Sequence, residues 1–99
     1  MQLDEIIWKD KFVEKLAVKH SVTTDEVEQI LFSRPHVRKA QKGQVKGEDV
    51  YVAYGQTYGG RYLVVFLIYK RQMSAALPIS ARDMTTSERR YYERQAEAD

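Results

Sequence analysis

Between Arg34 and Arg82 the chain carries nine basic residues, Arg34, Arg38, Lys39, Lys42, Lys46, Arg61, Lys70, Arg71 and Arg82, against only Glu48 and Asp49. A balance of +7 over that stretch makes a candidate surface for attracting phosphate. Breaking a phosphodiester of RNA without a metal needs three things: removal of the 2′-hydroxyl proton, cations beside the phosphoryl oxygens, and a proton for the departing 5′ oxygen. Arginine and lysine supply the second, and glutamate, histidine, tyrosine or lysine can supply the others. All are present, which establishes feasibility and no more.

Other chemistries find less support. The two histidines, His20 and His36, fall on different predicted elements without the paired spacing of metal sites, and there is no cysteine, so neither a metal nor another cofactor is expected. No glycine-rich phosphate loop precedes a helix, and no strained-turn serine motif occurs. The first residues, MQLDEIIWKDK, lack the apolar core of a secretory signal or membrane span, and the longest apolar run, Leu63 to Tyr69, suits a buried strand. Cytoplasm is the default compartment for such a chain.

The 99 residues, 43% hydrophobic and 30% charged, fit one globular domain with a modest core. Residues 8–20 set Phe12, Val13, Leu16, Ala17 and His20 on one helical face. A second helix is predicted over Thr24 to Phe32. Thr23 and Glu26 form its capping box, Val22 can staple to Val27, and Pro35 stops it. The pattern then alternates. HVRKAQ, a glycine-containing turn over KGQVKGED, and the run to Tyr54 read as a hairpin. Gly59-Gly60 turns into RYLVVFLIYK, apolar on both faces, and KRQMS turns into AALPISAR, where Pro78 belongs at an edge, a strand start or a bulge. Thr85 and Glu88 form a second capping box for a closing helix. The expected architecture is α+β: two N-terminal helices packed on a four-stranded antiparallel sheet, with a C-terminal helix.

Several of the polar residues admit two readings. His20 closes an apolar stripe and could be packed or catalytic, while Lys19 sits where a helix dipole favours a cation. Glu48 and Arg61 could form a cross-strand ion pair. Arg82 alternates onto the face opposite Leu77, Ile79 and Ala81, with no acid before it on its strand. Arg89, Arg90 and Arg94 could form a solvated face or a rim for a partner. Tyr91 and Tyr92 point about 100° apart on a helix, so one should pack and one reach outward.

The ordered set W…KH-S-V, GEDVY, GRYLVVF, ISAR and ER-x-x-YE, spanning Trp8 to Glu93, resembles the BrnT family of bacterial type II toxins, which have a RelE-like fold. The resemblance implies a small ribonuclease toxin that blocks translation and is neutralised by an antitoxin, whose DNA-binding part represses their promoter. The family pairs fall on Lys19-His20, Gly47-Glu48, Gly60-Arg61 and Ser80 to Arg82, with Glu88, Arg89 and Tyr92 matching ER-x-x-Y. Lys9, Phe12 and Leu16 replace usual polar residues, Ser21 replaces a usual glycine, and Pro78 a usual apolar residue.

On this reading Arg61 and Arg82 hold the scissile phosphate, and Glu48, His20 or Lys19 assists proton transfer. Arg38, Lys39, Arg89 and Tyr92 contact RNA. The partners are RNA and the antitoxin, with operator DNA reached only through the antitoxin, in a hetero-oligomer without a membrane. The alternative is a non-catalytic module that binds RNA or protein. The nuclease site so drawn requires the guanidinium groups of Arg61 and Arg82 to converge in one hollow.

Overall fold

The computed structural model describes residues 2–41 and 48–98. Its elements run β1 (Glu5–Ile6), α1 (Asp10–His20), α2 (Thr24–Phe32), β2 (His36–Gln41), β3 (Val50–Gln56), β4 (Tyr62–Lys70), a short 3-10 turn (Arg71–Met73), β5 (Ala75–Asp83) and α3 (Thr86–Ala98). The expected hairpin turn with Gly43 and Gly47, and the cations Lys42 and Lys46, lie outside the described residues. The α+β class stands, with one correction. The sheet has five strands in the order β1-β5-β4-β3-β2 and is mixed, because β1 runs parallel to β5. Two residues give no readable alternation. β1 exists through tertiary pairing, with the Ile7 amide donating to the Ala76 carbonyl at 2.8 Å.

The predicted start of α2 is present in full. Thr23 Oγ1 accepts from the Glu26 amide at 3.1 Å while Glu26 Oε1 accepts from the Thr23 amide at 3.0 Å. Val22 and Val27 are both buried beside it. Each helix packs where its apolar residues point. Leu16, Val22, Val27, Ile30 and Leu31 meet Ala53, Leu63, Val65, Leu67 and Ala81 on one face of the sheet. The other face centres on Val52, Tyr54 and Val64, with Phe66, Met84, Tyr91 and Tyr92 packed against it, so α3 lies opposite α1 and α2. Each sheet face therefore has its own helical cover.

Side chains alternate across a strand, so register decides which face each cation reaches. The pairs Leu63↔Asp83, Val64↔Arg82 and Val65↔Ala81 hold at one end of β4–β5, but the register shifts so that Phe66 faces Ser80 while Leu67 faces Pro78. Ile79 is thus the extra residue of a bulge, next to the proline that cannot donate to the ladder. The bulge corrects the expected alternation. Pro78 is buried on the α1–α2 face with Leu67, whereas Leu77, opposite Ile68, shares the α3 face with Arg82.

Candidate active site

Arg61 sits just before β4 and points to the α1–α2 face. Its Nε and Nη2 donate to Asp83 at 2.7 and 3.3 Å, Nη1 to the Ser21 carbonyl at 2.8 Å and to Glu26 at 3.2 Å, and Nη2 to the His20 carbonyl at 3.0 Å. A guanidinium has five N–H donors, and here each has a partner within the protein. The group ties the α1–α2 turn to the end of β5. Its proximity pulls the Asp83 carboxyl below the usual carboxylate range, chiefly through the hydrogen bond.

Arg82, paired across from Val64, points the other way. Its Nη1 and Nη2 meet the two carboxylate oxygens of Glu88 at 2.6 and 2.9 Å, and Nη1 also donates to the Asp83 carbonyl at 3.1 Å. These contacts use three of the five donors, so among the described residues two N–H groups stay open. The guanidinium also lies 5.6 Å from the Phe66 ring centroid, and the side chain keeps 35% exposure. Glu88 in turn accepts from the Thr85 amide at 2.8 Å, closing the second capping box. Held by Arg82 first and by Thr85 next, its carboxyl falls from 4.5 to about 2.

The expected convergence of Arg61 and Arg82 is therefore corrected: they occupy opposite faces of the sheet. The reason is the pleat, since 61 and 82 fall on opposite parities of the paired strands. The other expected groups also separate. Glu48 pairs with Lys70 at 3.0 Å, at the far end of β4 from Arg61, roughly 25–30 Å of strand away. The expected Glu48–Arg61 pair is thus replaced by Glu48–Lys70. His20 stands with Arg61 near Asp83, where its charge helps depress that carboxyl, and Lys19 is exposed on α1. Lys39 shares the face of its cross-strand partner Tyr51 and pairs with Asp49 at 2.7 Å.

What does gather around the Arg82 face is a set of rings and cations. His36 and Arg38 alternate onto it from β2, opposite Tyr54 and Val52. Arg38 stacks 5.7 Å from the Tyr54 centroid and 5.0 Å from that of Tyr91. His36 Nε2 lies 2.7 Å from the Tyr91 hydroxyl. Arg89 covers the Tyr62 ring at 4.0 Å and pairs with Glu93 at 3.0 Å. Tyr92 meets the edge of Tyr62 with centroids 6.1 Å apart, and burial pushes its phenol up. Tyr91 and Tyr92 both pack against this one face of the sheet, so neither is the outward member of the pair. Of the nine expected residues, this face unites Arg82, Arg38, Arg89 and Tyr92.

His36, Tyr54, Tyr62, Phe66 and Tyr91 are members of this face outside the nine expected residues. Their signal was available: HVRKAQ alternates, which sets His36 beside Arg38, and Tyr54 alternates with Val52. Only the register between the strands and the docking of α3 bring them together. A cleft of about 630 Å³ lies elsewhere, at the Glu48–Lys70 end of the sheet. Among the residues lining it, Glu48 and Asp49 match Lys70 and Arg71 in charge.

These features define a small α+β protein with a cationic, tyrosine-rich sheet face. Residues 8–88 match the model of the BrnT family, the ribonuclease toxins of type II toxin–antitoxin systems. The match covers most of the sequence, and the chain belongs to that family. Membership implies an RNA substrate and an antitoxin partner. No curated protein matches the chain. No helix among the described residues is long and apolar enough to cross a membrane.

Proposed function

We propose that the chain is a metal-independent endoribonuclease whose working surface is the α3 face of the sheet, with Arg82 and Arg38 holding the scissile phosphate. The observation that carries this reading is the donor count: among the described residues Arg82 keeps two N–H groups open beside Phe66, whereas every donor of Arg61 is taken. Two guanidinium groups can balance charge on the phosphoryl oxygens without a metal. Arg89 and Tyr92 extend the surface, where rings and a guanidinium plane suit stacking on unpaired bases. Cleavage of RNA in the cytoplasm would block translation. The antitoxin would form a hetero-oligomer with the toxin and carry the part that contacts operator DNA.

In this reaction the 2′ oxygen of the ribose attacks phosphorus and the bond to the 5′ oxygen breaks, leaving a 2′,3′-cyclic phosphate and a 5′-hydroxyl. The test is cleavage of RNA in EDTA by the wild type and by Arg82→Ala. Cleavage by the wild type, with its loss in a folded Arg82→Ala, is expected. A folded Arg82→Ala that cleaves and arrests growth like the wild type removes the assignment. One observation favours the non-catalytic alternative: Glu88 already neutralises Arg82. That reading predicts salt-sensitive RNA binding with no cleavage products.

A further inference from the structure

We infer that His36 is the catalytic base of this site and that Tyr91 is its positioning residue. The inference rests on the nuclease reading above and adds the proton-transfer group that the two arginines cannot provide. No ionised arginine can take a proton, and the other acid–base candidates, Glu48, His20 and Lys19, are absent from this face. Glu88 and Glu93, two carboxylates of α3, are each held by an arginine, Arg82 and Arg89.

His36 shares the sheet face of Arg38 and Arg82. It stands at the start of β2 on the face that carries Arg38, and its ring contacts two tyrosines, edge-on to Tyr91 at 5.3 Å and tilted to Tyr54 at 6.0 Å. The 2.7 Å contact between Nε2 and the Tyr91 hydroxyl fixes the ring in one orientation. With Nε2 engaged, Nδ1 is the nitrogen left to meet a substrate. Tyr91 belongs to α3, whose start is secured by the Glu88–Arg82 pair, so one helix sets both the phosphate-holding arginine and the orientation of the imidazole.

The step balances without any group beyond RNA and water. The imidazole takes the proton of the 2′-hydroxyl as the 2′ oxygen forms its bond to phosphorus. The bond from phosphorus to the 5′ oxygen breaks, its electron pair stays on that oxygen, and water supplies the proton. The imidazolium then returns its proton to solvent.

A purely structural role for the pair, as a latch between α3 and β2, predicts different results, and these separate the two. The measurements are single-turnover cleavage of a short RNA, and binding of the same RNA carrying 2′-O-methyl groups, which cannot react. His36→Ala should cleave about 10²- to 10⁴-fold more slowly, the usual contribution of a positioned acid or base. It should bind the methylated RNA within about 3-fold of the wild type, and added imidazole should restore cleavage at least 10-fold. Tyr91→Phe, which keeps the ring and removes only the hydroxyl, should lower kcat by about 10-fold with little change in KM. Wild-type rates in both His36→Ala and His36→Gln would overturn the inference. So would parallel loss of binding and cleavage without imidazole rescue. If the wild type is inactive, or Arg82→Ala remains fully active, the nuclease reading itself fails. If Arg82→Ala is inactive while His36→Ala is unaffected, only the role of His36 fails.

Discussion

Glu88→Gln isolates the ion pair that joins α3 to the sheet, because the amide oxygen can still accept from the Thr85 amide while the charge is gone. A carboxyl moved from 4.5 to about 2 corresponds to roughly 3 kcal/mol of preference for the folded state. With Arg82 35% and Glu88 23% exposed, solvent screening reduces the expected loss to about 1–2 kcal/mol. For a chain of this size that lowers Tm by about 5–15 °C. The sign in pH follows from the depressed folded value. The stabilisation is fully present above about 4.5 and is lost as pH falls through about 2. Urea unfolding of wild type and Glu88→Gln from pH 7 down to about pH 2 should show a gap in midpoint that is constant in the neutral range and closes across that window. A gap absent at pH 7, or one that persists unchanged to the acid end, would refute the role given to the pair. The cycle with Arg82→Ala should be strongly non-additive.

Arg61→Ala should cost about 2–3 kcal/mol of stability, since it strands the partly buried Glu26 and frees two carbonyls, yet leave kcat of the folded protein within a few-fold. Paired unfolding and cleavage measurements check this, and a collapse of kcat at unchanged stability would return Arg61 to the site. Ser21→Gly should stabilise by about 1 kcal/mol, because residue 21 caps α1 with φ 52, a conformation that favours glycine, and denaturant midpoints will read it. Gly55→Ala should destabilise by about 1–3 kcal/mol, seen as a lower Tm, because an added Cβ would lie 3.0 Å from both Cδ1 and Cγ2 of Ile30.

The helices were legible because their signals are local. Thr23 with Glu26, and Thr85 with Glu88, announce helix starts within four residues, and both boxes form. β3, β4 and β5 were legible from alternation and from the apolar run at Leu63 to Tyr69. β1 was not, since Glu5–Ile6 pairs only because Ala75 and Ala76 present an open edge. The site was legible in its residue types but not in its membership. Arg61 and Arg82 look equivalent as basic residues at the ends of strands, and nothing local tells them apart. Their difference lies in partners distant in sequence, Glu26 and the His20 carbonyl for one, Phe66 and the open sheet face for the other. His36 was hidden for the same reason, its partner Tyr91 arriving only when α3 docks.

The end of β5 explains how one short segment serves both layers. Arg82 and Asp83 are consecutive, so the pleat sends them to opposite faces. Asp83 grips Arg61 and through it the carbonyls at the α1–α2 turn, while Arg82 grips Glu88 and through it the first turn of α3. Both helical layers are thereby referenced to the same two residues of strand. The Ile79 bulge falls between them and the rest of β5, so the upstream register can shift without disturbing that junction. The consequence for the site is directional. Deleting one residue at the bulge would realign Leu77 and Pro78, but inserting or deleting one between Ile79 and Arg82 would turn the guanidinium onto the α1–α2 face. There it would face Arg61 without Asp83, which turns to the other face in the same shift, and the tyrosine face would lose its Arg82 guanidinium.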